Sequence, residues 1–268
     1  MSLKSFFSNI EDNECKSKTL KKLFRTSKTK TIEELEALEV KSLDLSSFQG
    51  LQSFEMDLSF LEYFSSLNSL NLAFQEVTNL KPLNILKNLK ELNLSGLNIN
   101  DLHFLNDLIS IERLTLDKNK ITSVNNLKIL KKLKFLSIRD NNIRDVEPLQ
   151  NLLNLEELKL SNNEIMQISS LKKLQSLRIL DLKNNFIDDI DPLKELKNLR
   201  QLSLAQNSIS DIESLETLTA LSELDLRKNQ IKNIRQLKQL RDLHTLGLSG
   251  NPIHDEDYEL FSGSVKID

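Results

Sequence analysis

The feature that most constrains this fold is an apolar residue that returns every 22 positions, without a slip, from residue 67 to residue 243. It is Leu67, Leu89, Ile111, Leu133, Leu155, Leu177, Leu199, Leu221 and Leu243. Counting each of these as position 1, apolar residues also occupy positions 4, 6, 11, 14, 17 and usually 20. A unit this short cannot bury its apolar face alone and must stack on its neighbours. The repeat therefore predicts a solenoid with one continuous core and one long open surface.

Each unit predicts a short strand followed by a turn and a short helix. Positions 3 to 7 alternate polar and apolar, as in residues 157–161, so that leucines point inward and polar side chains outward. Position 13 holds mostly helix-capping residue types, and proline follows at position 16 in three units. We therefore expect an α/β, right-handed solenoid with a parallel sheet on its concave side and mostly 3₁₀ or short helix on its convex side.

Position 9 carries asparagine in seven successive units. The column is Asn119, Asn141, Asn163, Asn185, Asn207, Asn229 and Asn251. An asparagine amide has both a donor and an acceptor, so this column is expected to satisfy backbone groups in neighbouring turns. The first units have Phe48, Gln75 and Leu97 at this position, and their turns must be satisfied in another way.

The ends of an open stack need caps, because they expose apolar edges. Residues 1–39 are predicted to form a helical N-terminal cap, since apolar residues between 3 and 10 share one helical face. The repeats occupy 40–253, beginning with a 27-residue unit whose extra length predicts a longer outer helix through Phe54, Leu58, Leu61 and Phe64. Residues 254–268 are expected to form the C-terminal cap, with a helix beginning at the acidic residues 255–257.

A basic stretch lies within the predicted N-terminal cap. It contains Lys16, Lys18, Lys21, Lys22 and Arg25, followed by two further lysines. One interpretation is a cap helix that packs through its apolar residues and keeps the lysines in water. The other is a contact, through residues 16–30, for acidic protein, anionic lipid or nucleic acid. The net charge of the whole chain is −3, so no nucleic-acid partner is expected for the molecule in general.

Composition argues against an enzyme. The chain has three histidines, five glycines and a single cysteine, Cys15, and no nucleophile–base pair or phosphate-binding loop is evident. We expect no catalytic residue, no metal and no cofactor. One thiol cannot form an internal disulfide, and the first residues lack a signal-peptide pattern. A cytoplasmic location is therefore expected, with export without a cleaved signal as the alternative.

Function is expected on the open face of the sheet, at positions 3, 5 and 7. The candidate partner-binding residues are Arg113, Phe135, Arg139, Glu157, Lys159, Ile179, Asp181, Lys183 and Arg227. Phe135 and Ile179 are apolar where solvent-facing residues are expected, and apolar side chains flanked by charge can mark a binding hot spot. The charges have another interpretation, in which neighbours such as Glu157 and Lys159 simply compensate each other.

The repeated phrase L-x-x-L-x-L-x-x-N-x-I-x-x-I-x-x-L-x-x-L resembles the 22-residue class of leucine-rich repeats over roughly residues 40–261. That class includes bacterial internalins and the leucine-rich regulatory subunit of protein phosphatase 1. The resemblance implies a protein-binding scaffold that uses its concave face. Two further functions stay open: a bacterial effector or adaptor with a second, basic N-terminal contact to lipid or acidic protein, and a phosphatase regulatory subunit.

Overall fold

A computed structural model describes residues 41–46, 56–258, 261 and 265–267. These ranges contain the stacked repeats and part of the C-terminal segment. The predicted helical cap at 1–39 lies outside the described residues. So do Cys15 and the candidate basic contact formed by Lys16, Lys18, Lys21, Lys22 and Arg25.

Within the described residues, eleven strands form one parallel sheet in chain order. The strands are β1 (Ser42–Asp44), β2 (Ser69–Asn71), β3 (Glu91–Asn93), β4 (Arg113–Thr115), β5 (Phe135–Ser137), β6 (Glu157–Lys159), β7 (Ile179–Asp181), β8 (Gln201–Ser203), β9 (Glu223–Asp225), β10 (Thr245–Gly247) and β11 (Lys266–Ile267). From β2 to β10 the register follows the 22-residue repeat, so that Phe135 is opposite Glu157, and Glu157 is opposite Ile179. Equivalent positions of successive units therefore lie side by side across the sheet.

Short 3₁₀ helices return the chain along the other side of the core. They are Leu58–Phe64, Lys81–Ile85, His103–Asp107, Asn125–Ile129, Glu147–Asn151, Ser169–Lys173, Asp191–Glu195, Glu213–Thr217 and Arg235–Gln239. The predicted solenoid, with a parallel sheet and a 3₁₀ outer side, is confirmed. The longer outer helix of the first unit is also present in the described part, where Phe60 and Phe64 pack edge to face at 6.1 Å between ring centres.

Position 13 caps these 3₁₀ helices, as its residue types predict. In seven units its side-chain oxygen accepts a hydrogen bond from the amide of the first helical residue, for example from Glu213 to Asp211 at 2.9 Å. The one remaining 22-residue unit with a 3₁₀ helix, which begins at Leu155, has Gln167 at position 13, and this side chain makes no such bond among the described residues. Each bond satisfies a backbone amide that would otherwise lack a partner at the helix start.

The leucine and isoleucine columns form a single buried core from Leu43 to Phe261. At the C-terminal end, Phe261 is 6% exposed, helix α1 (Asp255–Tyr258) begins at the predicted acidic residues, and β11 pairs with β10. The sequence pattern does not predict β11, because it has only two residues and no repeat around it. No helix among the described residues has the length and apolar character needed to span a bilayer.

The strands are shorter than predicted: each of β1 to β10 has three residues rather than the five of the alternating pattern. The backbone turns where position 8 of every unit from 67 to 243 adopts a left-handed conformation, with φ between 54° and 78°. These residues are Phe74, Gly96, Lys118, Asp140, Asn162, Asn184, Gln206, Lys228 and Gly250. The alternating pattern places position 7 toward solvent, but it lies in this bend, and Ser95, Ser161 and Ala205 are buried there.

Candidate functional site

The asparagine column is part of the framework that holds the sheet in place. In each case the side-chain oxygen accepts from the position-11 amide of the preceding unit, and the amide group donates to that unit's position-6 carbonyl. For Asn163 these bonds join the Ile143 amide at 3.0 Å and the Ile138 carbonyl at 2.9 Å. The bonds of all seven asparagines lie between successive turns, so the column fixes the spacing of the units.

The first turns differ, as their sequence requires. Gln75 replaces asparagine and donates from Nε2 to the Ser46 carbonyl at 3.1 Å, which reproduces only the donor half of the usual arrangement. Leu97 has no polar side chain, and its backbone amide donates instead to Asn119 Oδ1 at 3.1 Å. The regular stack therefore begins in full at Asn119.

The open, concave face of the sheet has a hollow between β5 and β10, and the volume of this hollow is about 450 Å³. It is lined by Arg139, Glu157, Lys159, Ile179, Leu180, Asp181, Gln201, Leu202, Ser203, Glu223, Leu224, Asp225, Arg227, Thr245 and Gly247. This concave hollow contains six of the nine predicted partner-binding residues. Arg113 and Phe135 lie beside it on β4 and β5, and Lys183 is exposed beyond the end of β7.

The two apolar candidates are less exposed than the sequence suggests. Phe135 is half-buried, because the Arg113 guanidinium carbon lies 4.2 Å from its ring centre and Lys159 Nζ lies 5.3 Å from it. Ile179 is also half-buried and lies in the same row, two strands away. Cations thus cover the face of the Phe135 ring, and the row presents a mixed cationic and apolar surface.

The charged candidates are paired with one another along the sheet. Lys159 forms an ion pair with Glu157 on its own strand, as one interpretation of the sequence expects. Arg139 reaches across two units to Asp181 at 3.2 Å. These pairs fix the positions of the charged groups and leave the face close to electrically neutral.

Arg227 is held by a double hydrogen bond to Asp225, from Nε at 2.9 Å and from Nη2 at 2.8 Å. Its side chain lies over Gly247, where a Cβ would come within 2.7 Å of the Asp225 carboxylate and 3.1 Å of Arg227 Cγ. Glycine at this position therefore makes room for the Arg227–Asp225 pair at the end of the hollow.

Several lining residues are not among the nine candidates that the sequence predicts. The hollow extends further, through Gln201, Ser203 and Thr245, and Gln201 Nε2 donates to Glu223 Oε1 at 3.0 Å. The neutral side chains at positions 3 and 5 of the units on either side of Glu223 and Asp225, ending in Gly247, are the signal that could have indicated this.

Outside the hollow, the clearest electrostatic effect on the sheet is at β1. The hydroxyl and the amide of Ser46 donate to the Asp44 carboxylate at 2.7 and 2.9 Å, and these bonds lower the pKa of Asp44. Among the described residues, no three His, Cys, Asp or Glu side chains are grouped in a way that could hold a metal ion.

Comparisons with known proteins agree with this architecture. The family model for leucine-rich repeats (two copies) matches residues 131–173, 153–195, 175–217 and 197–239. No curated protein matches the sequence. The structure of an internalin (InlF) from Listeria monocytogenes strain 4b F2365 is 29% identical with a TM-score of 0.71, and the alignment covers 89% of this chain and 82% of that one.

Internalin C2 from the same strain is 32% identical with a TM-score of 0.66, and the alignment covers 71% of this chain and 83% of that one. The leucine-rich repeat ectodomain of the plant receptor kinase GASSHO1/SCHENGEN3 from Arabidopsis thaliana shares the fold at 23% identity, with a TM-score of 0.67. That alignment covers 82% of this chain and 28% of the plant chain.

Proposed function

The chain belongs to the internalin-like leucine-rich repeat proteins, and we propose that it is a non-enzymatic scaffold that binds a partner protein in its concave hollow. The observation that carries this proposal is the hollow itself, a preformed depression of about 450 Å³ with charged groups held in fixed positions around half-buried apolar side chains. Rigid, preorganised side chains lose little conformational entropy when a partner binds. The compartment in which this happens stays a prediction.

The size of the sheet limits how the partner binds. Three residues per strand at about 3.3 Å each, across ten strands about 4.8 Å apart, give a face of about 430 Å². A stable complex needs about 800 Å² from each partner, so the partner also contacts the edges of the hollow. Phe135 and its flanking cations lie at one such edge, and the Arg227–Asp225 pair lies at the other.

The first test removes the two apolar side chains of this face, Phe135 and Ile179. Phe135→Ala together with Ile179→Ala is expected to weaken partner capture at least about tenfold, because hot-spot side chains of this kind contribute about 2 kcal/mol or more. The loss of folding stability should be modest, about 1–2 kcal/mol, since both side chains lie on the open face of the sheet and are only partly buried. Capture is measured with the purified chain as bait.

The matched control is Met166→Ala together with Phe186→Ala, which removes two apolar side chains that are 59% and 57% exposed and lie away from the hollow. Capture should be unchanged in this control. If both double variants capture the partner as well as the wild type, Phe135 and Ile179 are not part of the binding surface.

The second test locates the contact directly. A photo-crosslinking amino acid at Gln201, inside the hollow, should form a covalent adduct with the partner, whereas the same group at exposed Ser169 on the convex side should not. Adducts from Ser169 alone would move the binding site to the convex side and contradict the proposal.

A further inference from the structure

A second surface is formed by the turns that lead from each 3₁₀ helix into the next strand. We define the start rim as the two residues of each such turn together with the residue directly before the strand. It comprises 87, 88, 90, 109, 110, 112, 131, 132, 134, 153, 154, 156, 175, 176, 178, 197, 198, 200, 219, 220, 222, 241, 242 and 244. Because the strands pair in register, these residues lie in adjacent rows along one edge of the molecule.

The start rim is strongly cationic. Its 24 positions hold nine cations, all exposed, against three carboxylates. The cations are Lys87, Lys90, Lys131, Lys132, Lys134, Arg178, Lys197, Arg200 and Arg241. The opposite edge is formed by positions 8, 10 and 12 of each unit. In the eight units that begin at residues 67 to 221, these positions hold five cations and four carboxylates. Of the two edges of the repeats, the start rim therefore carries the larger excess of positive charge, in a chain whose net charge is −3.

Part of this charge has no internal partner. Glu112 accepts from Lys134 at 2.8 Å and lies 3.8 Å from Lys90, and the Lys134 hydrogen bond lowers the pKa of Glu112. Within the ranges that the structure describes, Lys132, Arg178, Lys197 and Arg200 form no ion pair within 4 Å, although the charge of Lys132 also helps to lower the pKa of Glu112. These four groups remain accessible to an external anion.

The start rim also exposes apolar side chains where a soluble turn would carry polar ones. Ile109 is 57% exposed and Leu153 is 54% exposed, and both occupy the first position of a turn. Along the rim they alternate with Lys87 and Lys131 at the equivalent position, so that each of the two has a lysine beside it. Large exposed aliphatic residues within a cationic strip are typical of a surface that contacts lipid.

A polar hollow of about 470 Å³ opens near the same edge. It is lined by Lys41, Ser66, Asn68, Asn88, Lys90, Ser110, Glu112 and Lys132. Lysine, serine and asparagine side chains donate the hydrogen bonds that a phosphate group accepts. The Glu112 carboxylate also lines this hollow, beside Lys90 and Lys132, and Ile109 directly precedes the lining residue Ser110 in the chain.

We propose that the start rim binds the surface of an anionic phospholipid bilayer, with its lysines and arginines on the headgroups and Ile109 and Leu153 inserted between them. Because the units stack in register, the equivalent turns place these groups side by side along one edge of the molecule. None of the 24 positions holds Phe, Tyr or Trp, which nucleic-acid surfaces use to stack bases, so the aliphatic residues favour a bilayer over a nucleic acid. The concave hollow, on another face, stays open to a protein partner in this arrangement.

The charge is tested by co-sedimentation of the full chain with vesicles of phosphatidylcholine containing phosphatidylserine, and with phosphatidylcholine alone. Binding is expected only to the anionic vesicles and should decrease as salt is raised. Lys131→Glu with Lys132→Glu should weaken binding on the order of 25-fold or more, about fivefold for each cation lost near an anionic surface.

The matched control is Lys118→Glu with Lys120→Glu, which makes the same charge change in the same 22-residue unit but on the opposite edge. Its binding should stay within about threefold of the wild type, because the exchanged charges lie farther from the bilayer than a Debye length of about 10 Å. Residues 16–30 are identical in both variants. Equal losses in the two would mean that overall charge, and not the start rim, governs binding, and would overturn the proposal.

The apolar residues separate lipid from nucleic acid. Ile109→Ser with Leu153→Ser should weaken vesicle binding on the order of tenfold, since each side chain buries its exposed half in the bilayer. Met166→Ser with Phe186→Ser, on the opposite edge, should have no effect. If the wild type binds a DNA duplex but not the anionic vesicles, and the serine variants bind that duplex equally, the start rim is a nucleic-acid surface and the proposal fails.

Discussion

At the scale of single residues, the asparagine column accounts for much of the order of the stack. Asn163 is 6% exposed and bonds to one amide and two carbonyls at 3.0 Å or less. Replacing it with alanine leaves these buried backbone groups without a partner. We expect Asn163→Ala to lower the free energy of unfolding by about 2–4 kcal/mol, measured by urea denaturation.

A suitable control is Asn142→Ala in the neighbouring unit, where the exposed side chain bonds only to Glu164 at 3.2 Å. That change should remain within about 0.5 kcal/mol of the wild type. A similar loss in both variants would indicate that asparagine acts through its local backbone preference and not through the bonds between units.

The left-handed residue at position 8 gives a second prediction. Gln206 has φ 59°, and its amide donates to the Arg227 carbonyl at 2.8 Å, so the next unit fixes its conformation. A side chain in this region is strained by about 1–2 kcal/mol, and glycine is not. Gln206→Gly should therefore raise the free energy of unfolding by about 0.5–1 kcal/mol, measured by thermal and urea denaturation.

Position 10 of the same unit supplies the comparison. Ser208 is exposed and does not have a positive φ, so Ser208→Gly should lower the free energy of unfolding by about 0.5–1 kcal/mol. If both glycine substitutions destabilise the chain, the turn at Gln206 carries no strain that glycine can relieve.

These two columns also show what the sequence could predict at this scale. The asparagine column was predictable because one residue type recurs and its amide fits both kinds of backbone group. The left-handed column was predictable only in part, because Asp140, Asn162, Asn184 and the two glycines favour that conformation, whereas Phe74, Lys118, Gln206 and Lys228 do not. It is imposed by hydrogen bonds between units, which are absent from any single 22-residue segment.

At the scale of elements, most of the 3₁₀ helices begin at a single hydrogen bond that the position-13 side chain accepts. Seven units use a position-13 side chain to cap the first helical amide, and the unit with Gln167 lacks this bond. We expect Gln167→Asp to supply it to the Ser169 amide and to raise the free energy of unfolding by about 0.5–1 kcal/mol in urea denaturation.

The reverse change should have the opposite effect. Asp211 accepts from the Glu213 amide at 2.9 Å, so Asp211→Ala is expected to lower the free energy of unfolding by about 1 kcal/mol in the same measurement. Equal stability of Asp211→Ala and the wild type would show that the cap does not stabilise the stack.

The strands show which feature of the concave hollow could not be predicted from the sequence, namely the pairing of its long charged side chains. The repeat fixes which residues share a row, since the register follows it from β2 to β10. It does not fix which neighbour a long side chain chooses. Arg139 pairs with Asp181, 42 residues away, and Arg227 pairs with Asp225, two residues away, although both arginines occupy position 7.

At the scale of the whole molecule, each unit contacts only its neighbours, so stability should be lost locally. Phe261 is 6% exposed and closes the C-terminal end of the core. Phe261→Ala removes about 3–5 kcal/mol of packing. In a stack of this kind that loss frays the last units first, so hydrogen exchange should accelerate at the amides of β10 and β11 while those of β4 keep their protection.

A substitution in the middle of the core serves as the comparison for Phe261→Ala, because it affects the units on both sides of it. Leu158 on β6 is fully buried, and Leu158→Ala should remove about 2–5 kcal/mol of packing. Its effect on exchange should spread to β5 and β7 and lower protection there more than Phe261→Ala does. If instead Phe261→Ala lowers protection equally from β2 to β10, the repeats unfold as one cooperative unit, and the nearest-neighbour description of this solenoid is wrong.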